Sequence, residues 1–181
     1  SGAHSVNLAM TAALPFLRKL PGLSITHQTG ENDLEEVRAA YQREGMAAEV
    51  LPFIHDMAAA YHGADLIVCR AGATTIAEIT ACGKPCVFIP YPHAVDDHQR
   101  RNAEALLKKG AGLMLLEQEL SGQRLAAEIK ELVADRERLA AVGRAARELA
   151  RLDAARVIVD RMLEDRAACD VGRAAQQAKT K

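Results

Sequence analysis

Tryptophan is absent from this chain and aromatic residues make up only 3% of it, so no platform of stacked rings is available to hold single-stranded nucleic acid or a carbohydrate. Charge of one sign is lacking as well. With 23 basic residues against 24 acidic ones, the formal net charge of -1 leaves no bulk field to attract nucleic acid or an anionic membrane surface. Any anion site must therefore be local. No apolar run reaches the roughly 18 residues that a membrane span requires. With no signal peptide in view, a soluble, cytosolic chain is the expectation. The four cysteines, Cys69, Cys82, Cys86 and Cys169, form no metal set. Cys82 and Cys86 have a ligand-like spacing, but no second Cys or His pair completes a zinc site, so the expectation is reduced core thiols, no structural metal and no cofactor.

What is present is a regular alternation of short β-like runs with helical patterns. "SVNLAMTAALPFLRKLPG" places Val6, Met10, Ala13, Leu14 and Leu17 on one helical face and stops at Pro21-Gly22. There follow "LSITHQTG" as strand, "LEEVRAAYQREG" as helix, "EVLPF" as strand, "IHDMAAAYHGA" as a short helix, "DLIVCRAG" as strand, "TTIAEITACG" as helix and "PCVFIPYP" as strand. A polar loop, "HAVDDHQR", leads to a helix from about Gln99 to Lys109, the strand "GLMLLE", and helical pattern from Leu120 to roughly Ala168, broken near Asp135 and Asp153. The tail beyond 168 has no apolar face and is expected to be disordered. Strands of Val, Ile, Leu and Cys with little alternation belong to a parallel sheet covered on both sides. The expected class is α/β, a doubly wound, Rossmann-like parallel sheet with helices on both faces.

In that architecture ligands bind beyond the carboxyl ends of the strands. Four loops gather there, 28–32, 53–57, 70–75 and 91–99, and they hold most of the unusual polar chemistry of the sequence. In "CRAGATTIAEI", small residues turn a strand into a helix whose fresh N-terminus offers unpaired N–H groups, an anion-binding device. Glu78, in the second turn, is either a solvated surface charge or a carboxylate able to accept two hydrogen bonds from a vicinal diol such as a ribose. Phe53 is either core or a ring laid against a planar base, with the Ile54 main chain at the base edge. Arg70 is a strand-end charge or a diphosphate partner. Asp97 reads as a natural N-cap that puts His98 and Gln99 in the first turn of its helix, where they can hold sugar hydroxyls. His98 as a general base lacks a nucleophile or an orienting partner, and His93 receives no role.

The stretch from Phe53 to Ala103, "FIHDMAAAYHGADLIVCRAGATTIAEITACGKPCVFIPYPHAVDDHQRRNA", closely resembles the carboxyl-terminal half of the family 28 glycosyltransferases, two-domain enzymes of the GT-B fold. The opening "SGAHSVN" resembles the remainder of that family's Gly-Gly-Ser-x-Gly-Ala phosphate loop, with Ser1, Gly2 and Ala3 matching its end and the strand before it missing. The resemblance implies a UDP-N-acetylglucosamine site and an inverting transfer of N-acetylglucosamine to a lipid-linked muramoyl-pentapeptide in peptidoglycan synthesis, at the inner face of the cell membrane. It implies that Phe53, Ile54 and Met57 meet the uracil, Ala73 and Thr74 the diphosphate and sugar, Glu78 the ribose hydroxyls, and His98 and Gln99 the N-acetylglucosamine ring. It further implies that residues 1–168 form a donor domain and that an acceptor domain, with the membrane-docking surface and the general base, lies outside this chain, so that the chain alone is expected to bind the donor weakly, or not measurably, and to turn nothing over. The apolar set Ala155, Ile158, Val159, Met162 and Leu163 of the last helix either packs on its own domain or lacks part of its cover. Rival readings are a UDP-N-acetylglucosamine 2-epimerase-like domain, a non-catalytic sugar-nucleotide-binding subunit and a structural module without ligand.

Overall fold

The computed structural model describes residues 3–164. The chain divides into two compact units, Ser1–Ala150 and Arg151–Lys181. In the first unit helices and strands alternate in the order α1 (His4–Leu17), β1 (Thr26–Gln28), α2 (Leu34–Arg43), β2 (Glu49–Leu51), α3 (Met57–Gly63), β3 (Ile67–Cys69), α4 (Ala73–Cys82), β4 (Cys86–Phe88), α5 (His98–Leu107), β5 (Leu113–Met114), α6 (Gly122–Ala134) and α7 (Arg136–Glu148). In the second unit residues 154–164 are helical, and their apolar residues Ala155, Ile158, Val159, Met162 and Leu163 are all exposed. The expected tail falls outside the described residues, as does Cys169.

Every strand pairing is parallel: β1 with β2, and β3, β4 and β5 in that order. The strands are shorter than their apolar runs, but the ladder continues into the loops. Thr29 N donates to Leu51 O at 2.9 Å, Ile89 N to Cys69 O at 2.8 Å and Leu115 N to Phe88 O at 2.9 Å.

Strand alternation explains the two covered faces. Val87 and Ile89 point to one side and join Val6, Ala9, Ala13 and Leu17 of α1 with Leu125, Ile129 and Leu132 of α6. Cys86 and Phe88 point to the other, against Ile79 of α4, Ala103 and Leu106 of α5 and Ala146 of α7. Helix α1 also serves a third cluster through Leu14, which meets Val37, Ala40 and Tyr41 of α2 and Val50 of β2. The two strand sets make no backbone ladder with each other; this one helix packs on both. Its approach to α6 is close enough to demand glycine. A Cβ on Gly122 would stand 2.2 Å from the carbonyl carbon of Ala12.

Three cysteines lie where the apolar pattern puts them. Cys86 is fully buried, Cys69 and Cys82 are partly so, and all three are free. Burial pushes the Cys86 thiol well above its usual range, which keeps it protonated.

Candidate functional site

Within each strand set the strands are parallel, so the loops after β1 and β2 leave together and those after β3 and β4 leave together. The start of α1 joins the two groups, with Asn7 on Thr29 O after β1 and Ser5 on Arg70 after β3. Four of the helices that begin beside these loops, α1, α2, α4 and α5, start without any side-chain cap hydrogen bond. Main-chain bonds nonetheless engage Val6 N at the start of α1, which donates to Ala3 O at 2.8 Å, and His98 N at the start of α5, which donates to Val95 O. The first-turn N–H groups of α4 remain available to an external acceptor, with the positive end of its helix dipole behind them. Helix α3 differs, because Asp56 accepts from Ala59 N at 2.9 Å and closes its N-terminus.

The start of α5 departs from the sequence expectation. Asp97 occupies the N-cap position but adopts left-handed φ of 54°, and its side chain makes no cap hydrogen bond. Asp96 before it also has positive φ, 51°. Two consecutive non-glycine residues in this region cost about 1 kcal/mol or more each. The tight turn they form gives the His98 N–H to Val95 O and still puts His98 and Gln99 in the first turn. Gln99 Oε1 accepts from Tyr91 N at 3.0 Å, and the His98 ring donates from Nδ1 to Val95 O at 2.8 Å. Asn102, one turn on, donates to Ala71 O at 3.3 Å and so ties α5 to the loop after β3.

Phe53 is 56% exposed, so it is not core. Its ring meets His55 edge-on, with centroids 5.2 Å apart. Ile54 N donates to Oε1 of Gln28 at 2.9 Å, which connects the end of β2 to the end of β1. Met57 opens α3 and packs partly buried against the Cys86–Phe88 face. Ala73 and Thr74 lie exposed in the first turn of α4. Glu78 is exposed in the second turn, and its Oε2 accepts from the Tyr61 hydroxyl at 3.0 Å.

Arg70 is engaged by the protein itself. One guanidinium nitrogen donates to Ile89 O and Pro90 O, each at 3.1 Å, and to Oε2 of Glu117 at 2.5 Å, while the other donates to Ser5 Oγ at 2.7 Å. The same group lies over the Tyr91 ring, 5.3 Å from its centroid. It braces the start of α1 and the loops after β4 and β5 together. Ala3 is the N-cap of α1, whereas Ser1 and Gly2 lie outside the described residues.

Beneath the loops runs a buried polar network. Asn7 donates to Thr29 O at 2.9 Å and to Asp33 at 2.7 Å, His4 contacts the same carboxylate at 3.0 Å, and His27 bridges Asn7 Oδ1 at 3.0 Å and the Tyr41 hydroxyl at 3.2 Å. Desolvation lowers the His27 pKa to about 4, offset in part by the Asp33 charge. Hydrogen bonds from Asn7 and then His4 lower that of Asp33. The network fixes α1 against β1 and so sets where the uncapped α1 start stands.

Sequence reasoning passed over Gln28, Tyr61 and His27 as participants. Only His27 left a signal, as a polar residue at the inward position of a short strand. Among the described residues no group of three or more His, Cys, Asp or Glu side chains is placed to hold a metal, and no helix is long and apolar enough to cross a membrane. A concavity of about 570 Å³ lies away from these loops, between Gly83–Pro85 and α7, and shares no residue with them.

Comparison with known proteins matches this geometry to one group. The family model described as "Glycosyltransferase family 28 C-terminal domain" matches residues 1–161. The UDP-N-acetylglucosamine--N-acetylmuramyl-(pentapeptide) pyrophosphoryl-undecaprenol N-acetylglucosamine transferases of Geobacter sulfurreducens and Geobacter metallireducens are each 67% identical to it over 164 residues, 90% of this chain and 45% of theirs. The crystal structure of MurG from Acinetobacter baumannii superposes with a TM-score of 0.82 at 37% identity, covering 90% of this chain and 47% of that one. The glycosyltransferase VinC, solved with dTDP, shares the fold at a TM-score of 0.60 and 15% identity over 78% of this chain and 32% of its own. The chain spans about half the length of the curated relatives it matches. These matches establish that the chain belongs to the glycosyltransferase family 28 C-terminal domain family.

Proposed function

We propose that this chain binds UDP-N-acetylglucosamine and is the donor half of an inverting glycosyltransferase that passes N-acetylglucosamine to a lipid-linked muramoyl-pentapeptide in peptidoglycan synthesis. The observation that carries the reading is the exposed Glu78 carboxylate one turn beyond the uncapped start of α4. A carboxylate so placed accepts both hydroxyls of a ribose, while the N–H groups behind it face the diphosphate. The names borne by relatives 67% identical supply the donor and acceptor.

In this reading the uracil lies against Phe53 and Met57 with its edge on the Ile54 main chain, so Gln28 Oε1 must yield Ile54 N when the base arrives. Ala73 and Thr74 meet the diphosphate and sugar, Gln99 and His98 hold the hydroxyls of the N-acetylglucosamine ring, and Ser1, Gly2 and Ala3 complete the phosphate loop. Arg70 serves the site as a brace between loops. When the acceptor hydroxyl attacks the anomeric carbon, the bond to UDP breaks and negative charge grows on the leaving diphosphate. The preorganised start of α4 then stabilises that charge at the moment it develops. The acceptor, the general base and attachment to the cytoplasmic face of the membrane belong to a partner domain outside this chain.

Calorimetric titration with UDP, UDP-N-acetylglucosamine, UDP-glucose and ADP tests the assignment. Binding is expected for the uridine ligands and not for ADP, and Glu78→Ala is expected to weaken it about 10-fold or more, from the loss of charge-assisted hydrogen bonds. Equal binding of ADP, or an unaltered affinity in the variant, would sink the proposal.

A further inference from the structure

We propose that Tyr61 is a positioning residue for the donor's ribose: its hydroxyl holds the Glu78 carboxylate in the one orientation that accepts a vicinal diol. The inference rests on the ribose reading of Glu78 given above. A glutamate exposed on a helix ordinarily samples several rotamers, and a diol that needs both of its oxygens must first freeze them. Here that ordering is done in advance. The Tyr61 hydroxyl donates to Oε2 at 3.0 Å, which fixes the carboxylate from one side and leaves Oε1 and a second lone pair of Oε2 for a ligand. Among the described residues Tyr61 is the hydrogen-bond partner of Glu78.

The donor of this bond is itself immobile. Tyr61 is 8% exposed, and its ring packs in the cluster that contains Ala71, Ile79, Cys86 and Phe88. Helix α3, which carries it, is clamped at both ends. Asp56 caps its first turn, and Lys84 Nζ donates to the carbonyls of His62 and Ala64 at its last, each at 2.9 Å. Desolvation, reinforced by the Glu78 carboxylate, pushes the Tyr61 phenol well above its usual range, so it remains a donor throughout the neutral pH range. The same helix begins with Met57, separated from the Phe53-Ile54 segment by His55 and Asp56. One rigid element therefore sets the distance between the base end and the ribose end of the site, and Tyr61 is the link to the second of them.

The test compares UDP with 2′,3′-dideoxy-UDP, which lacks both ribose hydroxyls, on the wild-type protein, Tyr61→Phe, Glu78→Ala and the double variant. The readout is the ratio of the two dissociation constants. Phenylalanine keeps the packed ring, so Tyr61→Phe is expected to lower UDP affinity about fivefold, to leave dideoxy-UDP unchanged, and to add nothing in the Glu78→Ala background. If Glu78→Ala collapses the ratio while Tyr61→Phe preserves it, the positioning role is refuted and the ribose reading stands. If Glu78→Ala leaves the ratio unchanged, or the wild type binds no UDP, the ribose reading fails and takes the inference with it. A Tyr61→Phe protein that weakens both ligands in equal proportion, or that no longer folds, assigns the hydroxyl to the fold and overturns the inference.

Discussion

Acidification should destabilise this protein through a single buried imidazole. His27 is 9% exposed on the inward side of β1 and completes its hydrogen bonds as a neutral ring, giving Nε2–H to Asn7 Oδ1 and accepting from the Tyr41 hydroxyl. Burial lowers its pKa from 6.5 to about 4. The unfolded chain therefore takes up this proton near pH 6.5 and the folded one only near pH 4, so the native state is favoured above that window and loses ground as pH falls through it. At about 1.4 kcal/mol for each pKa unit, the loss across the whole window from 6.5 to about 4 is about 3.5 kcal/mol. That is a large share of the roughly 5–15 kcal/mol typical of a folded domain. Asp33 acts in a different range. Its pKa is lowered from 3.8, so its contribution is present above that value and disappears only in stronger acid. Urea melts at pH 7.5, 6.0, 5.0 and 4.5 on the wild type and His27→Gln would measure the difference. The variant is expected to start less stable at pH 7.5 and to decline much less between pH 6.5 and 4.5. Parallel declines in the two proteins would refute the argument, because the proton would then be taken up elsewhere.

Two further substitutions probe how the loops are supported. Gly122→Ala places a methyl group 2.2 Å from the Ala12 carbonyl carbon, where two helix backbones rather than a flexible side chain would have to move. A loss of about 3 kcal/mol is expected from denaturant midpoints, and a neutral result would mean that α1 and α6 separate cheaply. Arg70→Ala removes a guanidinium that holds Ser5, Ile89, Pro90 and Glu117. It should cost about 2 kcal/mol of stability, measurable by thermal melting, and weaken UDP binding by loosening the loops. Unchanged stability with lost binding would instead point to direct contact between Arg70 and the diphosphate.

Much of this protein was legible in local pattern. Alternation of apolar runs with 3.6-residue periodicity gave a parallel α/β fold with helices on both faces, because each pattern reports the burial of its own segment. The same local logic put Glu78 in the second turn of α4 and His98 and Gln99 in the first turn of α5, since those positions depend only on where a helix starts. Tertiary structure alone decided the partners. Arg70 is claimed by residues 65 positions before and 47 after it, Gln28 reaches Ile54 across 26, and Tyr61 reaches Glu78 across 17. Asp97 fails as a cap for the same reason: its left-handed backbone belongs to the turn that delivers the chain from β4 to α5, and no propensity of aspartate encodes that path. The sequence by itself determined which chemistry stands at the edge of the sheet. Only packing determined which of those groups are spent on holding one another and which remain open to a ligand, because a hydrogen bond between distant segments exists only once the core has brought them together.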